Sequence, residues 1–193
     1  SANQEIYEYN GYWSFSSSSY VPFPSSGGTS AANGFTIYHN KGTTRADGAK
    51  FDVSNITSGS GFMQTSGSAI INPLTWYHMA IVRYNNEIKL YFNGTHMPFT
   101  STFTNSTNIT YNRLAIGGGY AQYAVLTGHI SNFRLVVGSP VYTGNFTVPT
   151  SALTAITNTK LLTAQHSNQI IDASGNCTII PVNNCVATRL NPF

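Results

Sequence analysis

Apolar and polar positions alternate most clearly in the middle of the chain. Ile88, Leu90 and Phe92 alternate with Lys89, Tyr91 and Asn93, the period of two that marks a strand with one buried face. Asn93-Gly94 follows, the dipeptide best suited to a type I′ turn because both central residues need positive φ. Upstream, Trp76 to Arg83 is apolar on both faces for most of its length, which predicts a strand inside a sheet covered on both sides. Tyr84-Asn85-Asn86-Glu87 reads as the turn between the two. Residues 76–98 are therefore expected to form an antiparallel meander.

Weaker strand patterns flank it. Tyr7 to Phe15 alternates enough for a strand, and Phe35 to His39 reads as a short one ended by Asn40-Lys41-Gly42. Residues 50–57, 61–65 and Asn112–Ile116 are further candidates, the last stopped by Gly117-Gly118-Gly119. Residues 128–137 place Phe133, Leu135 and Val137 on one face. Tyr20 to Pro24 carries two prolines and suits only an edge strand or extended coil. A helix over Ser151–Asn158 has little support, and Leu161-Leu162-Thr163 is a short apolar run. Ala173-Ser174-Gly175-Asn176 reads as a turn, and residues 178–182 and 186–188 flank Asn183-Asn184 as a hairpin candidate. Short strands with turn signals roughly every 8–12 residues predict an all-β fold, an antiparallel two-sheet sandwich.

Composition narrows the functional classes. Ser, Thr and Asn make up 64 of the 193 residues, whereas only 8% are charged, against about 25% in ordinary soluble domains. Hydrophobic residues are 41% of the chain and the formal net charge is +3, so disorder is not expected. Nine Lys and Arg are scattered singly, which argues against nucleic-acid binding. No apolar run reaches the ~18 residues of a membrane span. The chain opens on Ser1 and shows no signal-peptide pattern, as expected of a processed product or a piece of a longer protein. In the predicted hairpin Cys177 faces Leu190 and Cys185 faces Val182, so both thiols are expected to be free.

Three segments carry a resemblance: Trp76–Arg83; Ile88–Thr95; and Leu114–Gly117 followed by Gly128–Leu135. Their order and spacing resemble the concanavalin A-like (LamG or pentraxin-type) domains, which implies a jelly-roll sandwich. Phe133–Tyr142, Asn145–Pro149, Leu161–Gln165, Ile171–Asn176 and the closing Arg189–Phe193 are similar to LamG-like modules of virion proteins of aquatic bacteriophages. That likeness implies a virion surface or fibre protein, by analogy. The N-terminal third departs from the pattern, since Lys41-Gly42 cuts short the strand that begins at Phe35. The domain is expected over residues 1–165, with 166–193 a C-terminal strand or hairpin extension packed on it.

The related glucanases use carboxylates spaced two apart on one strand, so that acid and nucleophile lie about 5–5.5 Å apart. The six acids here are Glu5, Glu8, Asp47, Asp52, Glu87 and Asp172, and no two have that spacing. Asp47 and Asp52 read as a loop pair and Glu5 and Glu8 lie near a terminus. The five histidines (39, 78, 96, 129 and 166) are dispersed, with His78 reading as a core or groove residue. Asp172 could orient a histidine and Cys177 could pair with His166, but no nucleophile elbow is present. No catalytic residues are therefore assigned.

Calcium needs six to eight oxygens, several from carboxylates; Asp47 and Asp52 are the weak candidates, and Asp47-Gly48 equally suits a simple turn. A carbohydrate site needs aromatic faces plus amides. Tyr120, Gln122 and Tyr123 in the loop after Gly117–Gly119, joined by Asn93 at a strand end, fit that chemistry; the tyrosines fit a sandwich edge equally. Six Asn-x-Ser/Thr sequons occur, at Asn55, Asn93, Asn105, Asn108, Asn145 and Asn176, as chance allows in so polar a chain.

The functional expectation is a non-enzymatic structural or adhesion module of a virion or extracellular appendage. It would contact copies of itself or neighbouring structural proteins and could bind glycan. The alternative is a secreted or cell-surface lectin. No cofactor, nucleic acid or membrane span is expected.

Overall fold

The computed structural model describes residues 6–7, 13–16, 35–41, 49–55, 61–67, 74–102, 104, 113–117, 127–181 and 184–193. Twelve strands are found there: β1 (Ile6–Tyr7), β2 (Trp13–Ser16), β3 (Phe35–Lys41), β4 (Ala49–Asn55), β5 (Gly61–Gln64), β6 (Met79–Tyr84), β7 (Glu87–Phe92), β8 (Thr95–Met97), β9 (Arg113–Ala115), β10 (Thr127–Gly128), β11 (Phe133–Val136) and β12 (Thr159–Thr163). Every strand pairing is antiparallel. No helix occurs among the described residues, so the Ser151–Asn158 helix is not formed.

The longest ladder runs in the order β5-β4-β3-β2-β9, and a second in the order β6-β7-β8. The two meet where Thr65 pairs with Phe99 and the Ser66 N–H donates to the Pro98 carbonyl at 2.8 Å. Thr65 is fully buried there, and its hydroxyl donates to the Gly67 carbonyl at 2.9 Å, which offsets the cost of burying it. β11 pairs with β12 and β1 with β10.

The meander forms as its pattern predicts. Asn85, Asn86, Asn93 and Gly94 all have positive φ (50°, 62°, 49° and 78°), so both connections are the turns that match strand twist. Burial differs from expectation in one respect: β7, not β6, is the strand covered on both faces. Ile88 and Leu90 are buried as the alternation requires, but Tyr91 on the opposite face is only 1% exposed. β6 lies at the sheet edge, begins at Met79 rather than Trp76, is half-buried, and runs into solvent at Arg83 and Tyr84.

Several boundaries are corrected. β3 continues through Lys41, which pairs with Ala49, because ladder bonds to β4 outweigh the local turn signal. The Tyr7–Phe15 segment contributes two short strands, β1 and β2, in different ladders. The 128–137 strand is likewise split between β10 and β11. A register shift between Leu135 and Val136 breaks the alternation, and Val137 turns outward, 47% exposed. Val182 and Asn183 of the expected hairpin lie outside the described residues, and residues 177–181 and 184–188 carry no strand pairing.

Candidate functional site

The connection between β11 and β12 spans residues 137–158 and crosses the face of the meander that carries Tyr91. Its middle forms a strap. The Phe146 N–H donates to the Gly94 carbonyl at 2.9 Å, and the His96 N–H donates to Asn145 Oδ1 at 2.8 Å. Tyr142 and Phe146 stack with ring centres 3.5 Å apart and planes within 8°. Phe146 then meets His78 edge to face at 5.4 Å and Tyr91 at 5.6 Å. The strap buries Tyr91, which explains why a strand with a one-faced pattern has two covered faces. Gly94 admits this approach: a Cβ there would lie 2.0 Å from the Phe146 carbonyl oxygen.

His78 sits at the centre of these rings. Its backbone N–H donates to Asn93 Oδ1 at 2.9 Å, and the Asn93 N–H donates back to the His78 carbonyl at 2.8 Å. Its Nδ1 is buried with no hydrogen-bond partner, as is Trp76 Nε1 two residues earlier. Burial, and secondarily the positive charge of Arg134, pushes the His78 pKa down. The shift favours the neutral imidazole.

A second polar centre fastens the end of the β11–β12 connection. Asn132 Oδ1 accepts from the Leu153 N–H at 2.8 Å and from Gln165 Nε2 at 3.2 Å. Gln165 Nε2 also donates to the Leu153 carbonyl, and Arg134 donates to the Thr154 carbonyl at 3.0 Å.

The third is a clamp made by Asp172. Its carboxylate accepts from the N–H groups of Leu162, Ser174, Asn176 and Cys177, each at 2.9 Å, and from the Ser174 hydroxyl. Partial desolvation pushes its pKa up, but the hydrogen bonds from Leu162, Ser174 and Cys177 outweigh this and hold it at about 2. Asn176 Nδ2 and Cys177 Sγ donate to the Thr159 and Lys160 carbonyls at 3.1 and 3.3 Å. Residues 172–177 therefore run along the edge of β12 away from β11 and cap it with side chains and with the Ala173 N–H, which donates to the Leu162 carbonyl at 2.6 Å.

The residues singled out in the sequence are placed as follows. Asn93 lies in the turn between β7 and β8 with its Oδ1 engaged by His78. Tyr120, Gln122, Tyr123 and Asp47 lie outside the described residues. Asp52 stands within β4, paired with Tyr38 on one side and Gln64 on the other, rather than in a loop with Asp47, because ladder pairing begins at Ala49. Asp172 is committed to backbone N–H groups and not to a histidine. Both cysteines are free and exposed, as expected, and Cys177 is held against Lys160 at the clamp. Sequence reasoning passed over Tyr142 and Phe146; two aromatics four residues apart in a Thr- and Pro-rich stretch were the available signal.

A family model, the concanavalin A-like lectin/glucanases superfamily, matches residues 14–139. That span, well over half of the chain, runs from β2 to just beyond β11. The chain belongs to this superfamily. No curated protein and no solved structure matches it. The concanavalin A-like fold is a β-sandwich jelly roll, in accord with antiparallel strands throughout. Its glucanase chemistry requires paired carboxylates. Here Glu87 makes an ion pair with Lys89 at 3.1 Å, and Asp172 anchors the C-terminal segment. Among the described residues no group of three or more His, Cys, Asp or Glu gathers as a metal site.

Proposed function

We propose that this concanavalin A-like domain is a non-enzymatic structural and adhesion module of a virion or extracellular appendage. In this reading it packs against copies of itself or neighbouring structural proteins. Domains of this laminin G-like type are typically binding modules without enzymatic activity. The observation that carries the reading is the C-terminal segment after Cys177. Ile180 and Val186 are 77% and 71% exposed there, on a protein with few charges to keep neighbours away. A surface of hydroxyls and amides suits packing in an assembly and is equally suited to meeting sugar hydroxyls.

The test is electron microscopy of the source particles or cells with antibodies raised against the chain. Label on an outer surface is expected; label confined to the cell interior overturns the reading. The glycan component is read separately on a glycan array with and without Ca²⁺. Binding there without surface assembly would instead favour a secreted or cell-surface lectin, and a flat response removes the glycan component.

A further inference from the structure

His78 bridges the meander and the strap. Its backbone belongs to the meander, tied to Asn93 through both its N–H and its carbonyl. Its ring belongs to the strap, edge to face with Phe146 at 5.4 Å and with Tyr142 at 6.3 Å. The strap has no strand pairing anywhere in residues 137–158. Two described hydrogen bonds hold its middle to the meander, from the Phe146 N–H to the Gly94 carbonyl and from the His96 N–H to Asn145 Oδ1. Ring contacts add to that hold.

These contacts suit an uncharged imidazole. A neutral ring has one N–H and one acceptor nitrogen, whereas the imidazolium must donate from both. His78 Nδ1 is buried with no partner, so the charged ring carries a buried N–H without an acceptor. The groups around it supply no counter-charge. The strap contributes Tyr142 and Phe146. Tyr91 of β7 lies beyond Phe146, and His96 of β8 lies against Tyr91. Arg134 of β11 adds a like charge. Of the described carboxylates, Glu87 pairs with Lys89 at the far end of β7, Asp172 sits in its clamp and Asp52 stands in β4. Undocking the strap returns the ring to water.

We infer that the strap is an acid-released latch: protonation of His78 undocks residues 142–146 from the meander and uncovers the Tyr91 face, while the ladders stay intact. The downward shift of the His78 pKa by burial and by Arg134 agrees in direction. The docked ring binds a proton less readily than the released ring, whose ordinary pKa is about 6.5. Docking is therefore complete above that value and weakens as pH falls below it, by up to about tenfold per pH unit until the docked pKa is reached. This window lies well above that of Asp172, whose pKa is about 2.

Hydrogen–deuterium exchange on the full chain at about pH 7.5 and 5.5, corrected for the intrinsic pH dependence of exchange, tests it. Protection around Phe146 should fall at least about fivefold, whereas Ile88–Phe92 keeps its own. His78→Phe retains an aromatic ring and removes the proton site, so its strap should be equally protected at both values. His96→Gln should still lose protection. A histidine NMR titration of the wild type needs no variant and decides should His78→Phe fail to fold: proton uptake at His78 should coincide with the change in the strap's signals, at a pKa below about 6.5. A wild-type strap equally protected at both values overturns the inference. So does a loss that survives in His78→Phe, or one shared equally by β7. A His78 pKa above its ordinary value also overturns it, since the rings would then attract the imidazolium.

Discussion

The β6–β8 meander and the segment after β12 are held by opposite means. The meander is held by ladder bonds and apolar alternation: Leu90 is completely buried and both turns carry the required positive φ. The C-terminal segment is held chiefly by one carboxylate that gathers four backbone N–H groups, and the hydrogen bonds described after Cys177 are local. A ladder distributes stability over many weak contacts, whereas a clamp concentrates it in one ionisable group. The first responds chiefly to side-chain volume and the second chiefly to pH.

Substitutions can break this comparison, starting with the largest effect. Leu90→Ala should cost about 3–4 kcal/mol in urea unfolding, since it leaves a cavity in a fully covered position. Ile180→Ala should change stability by about 0.5 kcal/mol at most, because Ile180 is largely exposed. Equal costs would mean that Ile180 is packed. Gly94→Ala should cost about 3 kcal/mol, because its φ of +78° strains an L-residue and the new Cβ meets the Phe146 carbonyl. Loss of the Tyr142–Phe146 aromatic signal in near-ultraviolet circular dichroism should accompany it; a strap that stays docked contradicts the assigned contact.

Asp172→Ala should cost about 2 kcal/mol and speed hydrogen exchange at Leu162 and Cys177. The pH dependence has a definite sign. The folded pKa of about 2 lies below the unfolded value of about 3.9, so the native state favours the ionised form. The clamp's contribution is complete above the unfolded value and disappears as pH falls through the folded one. Wild type should therefore lose stability over that interval by a component that the variant lacks. Parallel acid curves for the two would assign the loss to other carboxylates.

Much of the fold was legible in the sequence where local chemistry and the final environment agree. The meander was, because Asn93-Gly94 needs its turn whatever surrounds it, and Ile88 and Leu90 need cover on one face. Tyr91 was not, because its cover comes from Phe146, 55 residues away in the chain, and alternation reports only on the strand itself. β3 ran past its turn signal for the same reason, since its partner β4 supplies the bonds. Asp172 was visible as a lone acid beside a turn, yet its role depends on Leu162 in β12.

The sequence by itself determined the all-β class, the antiparallel meander, its turns, and a scarcity of carboxylates that argues against glucanase chemistry. The tertiary structure decided which faces are covered, which turn glycine has no room for a side chain, and how Asp172 fastens the C-terminal segment to β12. The division is physical. Turn φ values and alternation are properties of neighbouring residues, whereas burial and clamping depend on segments that only the folded chain brings together.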